Sequence, residues 1–123
     1  MVDKDIEKFN PAAAQLIEKM KTTSGITLTL FEKPAGEPTI EMVDDAIAAL
    51  KAASSDVVVA LGGGSVIDTA KAARLCAQLN CTFREFQSKP PVYPVATLPL
   101  ISVPTSAGTG SEVSGGSVIS DPD

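Results

Sequence analysis

Asp56-Val57-Val58-Val59-Ala60-Leu61-Gly62-Gly63-Gly64-Ser65-Val66-Ile67-Asp68 is the stretch that decides the fold. Its first half is an unbroken apolar, largely β-branched run, with Ser54-Ser55 before it and three glycines after it. That pattern belongs to a strand covered on both faces. Strands buried on both faces occur in parallel sheets flanked by helices, so an α/β architecture is expected. The second half passes directly into a helix, expected from Ser65 to about Leu79, with Val66, Ala70, Ala73 and Ala77 on one side. Small side chains there let the helix lie close to the sheet.

Working outward, Pro11 to Lys21 is helical in spacing, with Asn10 as N-cap, Pro11 at the first helical position and Ala13, Leu16, Ile17 and Met20 on one face. Ile26-Thr27-Leu28-Thr29-Leu30-Phe31 alternates apolar and threonine positions and is expected to be a strand. Thr39 to about Ala53 is a second helix, striped by Val43, Ile47 and Leu50, with Asp44 and Asp45 in its early turns where the helix dipole favours them. Beyond Leu79 a long connection carries Pro90, Pro91 and Pro94, followed by an apolar strand at Leu100-Ile101-Ser102-Val103 and strand character around Ser117-Val118-Ile119. The whole is a Rossmann-like open parallel sheet that starts in the wrong place. Only the last residues of a first strand are expected at the N-terminus, and the chain ends at Asp121-Pro122-Asp123 without a terminal element. The sequence therefore reads as a piece of a larger protein. In a sheet of order 3-2-1-4, the incomplete first strand would lie between the Ile26 and Leu100 strands.

Composition narrows the function. The 123 residues form at most one compact domain, and fifteen acidic against ten basic residues give a net charge of -5, which disfavours nucleic acid as a partner. No apolar run reaches the roughly 18 residues that span a bilayer, and Met1-Val2-Asp3-Lys4-Asp5 is too polar for a signal peptide, so no membrane partner and a cytoplasmic location are expected. Cys76 and Cys81 match no zinc spacing and are expected to be inert packing residues. The sequence contains no histidine. Catalytic triads, Cys-His dyads and His-based zinc sites are thereby excluded for these residues alone.

Two loops carry the chemistry. Gly62-Gly63-Gly64-Ser65 joins a buried strand to a helix start, where residues without Cβ let a phosphate approach the backbone and free N–H groups point at the anion. Neither the G-x-G-x-x-G pattern nor a Walker A loop is present. A capping box between Ser65 and Asp68 is the plainer reading of the same residues, and the two are compatible. The second loop, Pro104-Thr105-Ser106-Ala107-Gly108-Thr109-Gly110-Ser111-Glu112, has Ser, Thr or Gly at six of nine positions and also follows an apolar strand. Loops at the carboxyl ends of parallel strands converge, so both are expected to face one ligand. The alternatives are a flexible connector or a capping box from Thr109 to Glu112.

GGGSVIDTAK (Gly62 to Lys71) and PTSAGTGSEV (Pro104 to Val113) resemble the paired cofactor motifs of the iron-containing, group III, alcohol dehydrogenases, in the same order and at a similar separation. The resemblance extends over nearly the whole chain, so that residues 1–123 correspond to a partial dinucleotide-binding domain, with the family's C-terminal all-helical domain missing. It implies that Gly63, Gly64 and Ser65 contact a cofactor pyrophosphate, with Asp68 in the same signature. Thr105, Ser106, Gly108 and Thr109 would line the adenine, ribose and nicotinamide side. Asp3 matches a carboxylate beside the adenosine ribose, which points to NAD, with NADP as the alternative. Glu37 stands where many members have asparagine. The family's metal, iron or zinc, is held by one aspartate and three histidines of the C-terminal domain, so no catalytic or metal residue is assigned here.

By this resemblance the chain is the nicotinamide-binding part of a metal-dependent alcohol dehydrogenase. The intact enzyme would pass a hydride between a small alcohol or aldehyde and NAD(P), as a homo-oligomer, and the fragment alone would be inactive. A stand-alone nucleotide-binding module without catalysis is the alternative.

Overall fold

A computed structural model describes residues 1–88, 98–105 and 119–120. In chain order these hold β1 (Val2–Asp3), α1 (Ile6–Phe9), α2 (Pro11–Thr22), β2 (Glu32–Lys33), α3 (Ile40–Ala53), β3 (Val58–Gly62), α4 (Gly64–Leu79), α5 (Phe83–Ser88) and β4 (Leu100–Pro104). The strands form one parallel sheet in the order β2-β1-β3-β4. Among the described residues, no helix is long and apolar enough to cross a membrane.

Both faces of β3 are covered, as its composition requires. Val58 and Ala60 pack with Val66, Ile67 and Ala70 of α4 on one face, while Leu61 joins Val2, Ile6, Ala13 and Ile17 on the other. The small-residue side of α4 is fully buried at Val66, Ala70 and Ala73. Asn10 caps α2, its side chain accepting from the Ala13 N–H at 3.1 Å, and Thr39 caps α3 in the same way toward Met42 at 3.3 Å. Each such cap contributes about 1 kcal/mol. Cys76 is buried beside Cys81, and desolvation, followed by the neighbouring Cys81 and Asp44, pushes its thiol up to about 12, which keeps it an unreactive packing residue.

Three expectations change. The strand order places β1 between β2 and β3, so the sheet is not 3-2-1-4, and the incomplete first strand adjoins the Val58 strand rather than the Leu100 strand. The Ile26–Phe31 alternation is real in the packing, since Leu28 and Leu30 face the α2 cluster and Phe31 the α3 cluster. The paired strand, however, is only Glu32–Lys33, because a strand is defined by its partner and β1 supplies one only at the level of Val2 and Asp3. Helix α5 falls within the expected long connection. Its start is a reciprocal capping box, with the Thr82 N–H donating to Glu85 Oε2 at 2.8 Å and the Glu85 N–H to Thr82 Oγ1 at 3.1 Å. Of the expected Ser117-Val118-Ile119 strand, Ile119 packs against the α3–α4 cluster and Ser120 bridges to Thr39; the rest lies outside the described residues.

Candidate functional site

The carboxyl ends of β1, β3 and β4 lie side by side, and backbone bonds tie their loops together. Asp3 closes β1, Gly62 closes β3, and Thr105 follows β4. The Thr105 N–H donates to the Gly62 carbonyl at 2.9 Å, and the Gly63 N–H donates to Asp3 Oδ2 at 3.2 Å. The expected convergence of the two glycine-rich loops therefore holds at Thr105; Ser106, Gly108 and Thr109, and the Thr109–Glu112 box, lie outside the described residues. With β1 leading to β2 on one side and β3 to β4 on the other, the chain reverses direction between β1 and β3. Open α/β sheets form their ligand crevice at such a point, here bracketed by Asp3 and Gly63.

The start of α4 lies at that switch point, beside Asp3. Its N-cap is Gly63, in extended backbone and with no side-chain capping bond. The Val66 and Ile67 N–H groups bond back to the Gly63 carbonyl at 3.1 and 3.2 Å, so Gly64 and Ser65 carry first-turn donors with no acceptor inside the helix. Gly63, Gly64 and Ser65 are half-buried between buried Gly62 and buried Val66, so only the turn itself reaches solvent. Backbone donors and the positive end of the helix dipole make such a turn an anion site.

The Ser65–Asp68 capping box does not form. The helix begins before Ser65, which places Ser65 inside the first turn, where its carbonyl accepts from Thr69 Oγ1 at 2.7 Å. Asp68 is buried one turn into α4 and pairs with Lys71 at 3.4 Å.

Gly62 opens the GGGSVIDTAK motif, yet the resemblance assigns it no contact. A Cβ at this position would lie 2.7 Å from Asp3 Oδ2 and 2.9 Å from Val66 Cγ2, so only glycine lets β1 and the start of α4 close around the crevice. The available signal was a glycine at the last position of a strand, which marks close approach of a neighbour. Beside the crevice, fully buried Lys33, aligned with Asp3 across β1 and β2, donates from Nζ to the Pro34 and Gly36 carbonyls at 2.7 and 2.6 Å.

Comparison with known proteins agrees with this geometry. The family model for iron-containing alcohol dehydrogenase matches residues 2–123. The chain is 45% identical over 101 residues to the probable alcohol dehydrogenase EutG of Escherichia coli K12, covering 81% of this chain and 25% of that protein. It is 38% identical over 120 residues to the mitochondrial hydroxyacid-oxoacid transhydrogenase of Xenopus laevis, covering 94% and 26%. A crystal structure of sulfoacetaldehyde reductase from Bifidobacterium kashiwanohense in complex with NAD+ superposes with a TM-score of 0.76 at 30% identity, covering 92% of this chain and 29% of that one. The chain thus spans about a quarter of the length of these curated relatives. With a parallel open sheet, a glycine turn at its switch point and a family match along nearly its full length, the chain belongs to the iron-containing alcohol dehydrogenases, a family of oxidoreductases.

Proposed function

We propose that this chain supplies the nicotinamide-dinucleotide site of a metal-dependent dehydrogenase acting on a small alcohol or aldehyde, with NAD preferred to NADP. The observation that carries the reading is the uncapped start of α4, set between Asp3 and Thr105 in the switch-point crevice. The Gly64 and Ser65 N–H groups hold the pyrophosphate. Asp3 gives one oxygen to the Gly63 N–H, which fixes the carboxylate; its other oxygen accepts from a ribose hydroxyl and repels a 2′-phosphate. Thr105, continuing into Ser106, Gly108 and Thr109, lines the remainder of the dinucleotide. The bound nicotinamide supplies the hydride acceptor or donor. The NAD+ complex of sulfoacetaldehyde reductase supports the choice of cofactor.

The family's iron does not fit the residues present. The sequence has no histidine, and among the described residues no three His, Cys, Asp or Glu side chains form a cluster that could hold a metal ion. The role of these residues is to bind and orient the dinucleotide.

The test is a titration of NAD into the protein, followed by amide chemical shifts. Shifts concentrated at Gly63, Gly64, Ser65 and Thr105, with affinity lowered roughly tenfold or more in Gly64→Val, equivalent to about 1.4 kcal/mol, are expected. Unchanged affinity in a folded Gly64→Val variant overturns the reading.

A further inference from the structure

Lys33 is the largest fully buried side chain among the described residues. A lysine at this depth is tolerated only with hydrogen-bond partners. Among the described residues it forms no ion pair; its Nζ donates to the carbonyls of Pro34 at 2.7 Å and Gly36 at 2.6 Å, both in the turn that follows its own strand. The chain curls back over its own side chain there. Pro34, Ala35, Gly36 and Glu37 are exposed, while Lys33 before them and Pro38 after them are buried. Gly36 bends the backbone with φ +104°, and the Pro38 carbonyl accepts from the Ser120 N–H at 2.7 Å. The turn is thus pinned at its start by Lys33 and at its end by Ser120.

The strand order determines what the turn faces. Along the carboxyl edge of the sheet, β4 brings Thr105, β3 the Gly63–Ser65 turn and β1 Asp3; β2 comes next, and its last residue is Lys33, in register with Asp3. A dinucleotide with its pyrophosphate at Gly64 and Ser65 and its adenosine ribose at Asp3 runs along that edge toward β2. Its adenosine end therefore meets the turn after β2. Of the four exposed residues in this turn, Glu37 alone carries a charge.

We propose that Lys33 is a positioning residue and Glu37 a specificity-determining one: Lys33 holds the Pro34–Glu37 turn against the adenosine end of the dinucleotide, where the Glu37 carboxylate joins Asp3 in excluding a 2′-phosphate. This rests on the dinucleotide reading above. Lys33, being fully buried, acts through the two carbonyls it holds. Glu37 acts through charge. A carboxylate facing a phosphate within about a Debye length, ~8 Å at physiological salt, repels it, and added salt screens the repulsion.

The experiment measures NAD and NADP affinities for the parent, Glu37→Gln, Lys33→Met and the double variant, at low and high salt. Glu37→Gln is expected to raise NADP affinity relative to NAD by about fivefold at low salt, a gain that shrinks at high salt. Lys33→Met is expected to move the ratio the same way. In its background Glu37→Gln should add little, since a turn released from Nζ no longer holds the carboxylate in place. Gly36→Ala adds a methyl group that meets no atom within 4 Å but strains a backbone at φ +104°. It is expected to act as Lys33→Met does, and it decides the question where Lys33→Met does not fold. An unchanged ratio in Glu37→Gln overturns the proposal. So does an equal loss of both cofactors in Lys33→Met with the full effect of Glu37→Gln retained, which reduces Lys33 to a support of the fold. Failure of the parent to bind either cofactor is a separate result, and it overturns the dinucleotide reading itself.

Discussion

The Thr105 N–H donates to the Gly62 carbonyl at 2.9 Å, binding the loop after β4 to the last residue of β3. Thr105→Pro removes this donor and leaves the buried Gly62 carbonyl unmatched, at a cost of roughly 1–3 kcal/mol. Thr105→Ala keeps the N–H and is expected to be neutral within about 0.5 kcal/mol. Urea unfolding of the two variants checks the pair.

Gly62→Ala places a methyl group 2.7 Å from Asp3 Oδ2 and 2.9 Å from Val66 Cγ2. Both neighbours belong to packed elements, so a loss of about 1–3 kcal/mol is expected. Val66→Ala in the same chain removes one of the two collisions and is expected to reduce the cost of Gly62→Ala below its value in the parent, which a double-mutant cycle measures.

Asp3 sets cofactor preference if it lies beside the ribose as proposed. Asp3→Ser should improve NADP binding relative to NAD by about tenfold, near 1.4 kcal/mol. Competition binding with both cofactors is the check, and an unchanged ratio would remove Asp3 from the ribose.

Stability should depend on pH in one narrow window. Burial lowers the Met1 amino group from 8.0 to about 6, so between those values the unfolded chain binds a proton that the folded chain does not. Folding stability therefore rises from pH 6 to pH 8, by on the order of 2 kcal/mol, and this gain is lost as pH falls through 6. With no histidine in the sequence, few other groups titrate there. Denaturant unfolding across this range is expected to show the slope, and Nα-acetylation to flatten it.

Asp44 shows how far sequence reasoning reached. Its place in the first turns of α3 was legible from periodicity, but its Oδ1 accepts from the Phe83 N–H at 3.0 Å and so helps cap α5. Asp44→Ala should cost about 1 kcal/mol, measured by thermal unfolding. The helices α2, α3 and α4 and the doubly covered β3 were readable because their signals are local: spacing, caps and runs of β-branched residues. The extent of β2 and the strand order were not, because both depend on which backbone edge another segment offers. The site divides the same way. The Gly63–Ser65 turn could be read from adjacent residues, whereas the demand on Gly62 comes from Asp3, 59 positions earlier in the chain. Thr82 and Glu85 were a missed local signal, since a T-x-x-E spacing stands in plain view after Cys81.

The contact between Asp3 and Gly62 also acts as an alignment gauge for the fold. Two short parallel strands paired at Val2 and Leu61, with two further backbone bonds through Met1, could slide by one residue at modest loss of backbone bonding. In one direction such a slip sets the Asp3 carboxylate against the Leu61 side chain, stranding a charge on an apolar wall and forfeiting the Gly63 N–H. A mispaired chain is thus penalised at the very position where the ligand crevice must be shaped, so a molecule that passes this checkpoint emerges with its crevice already in register.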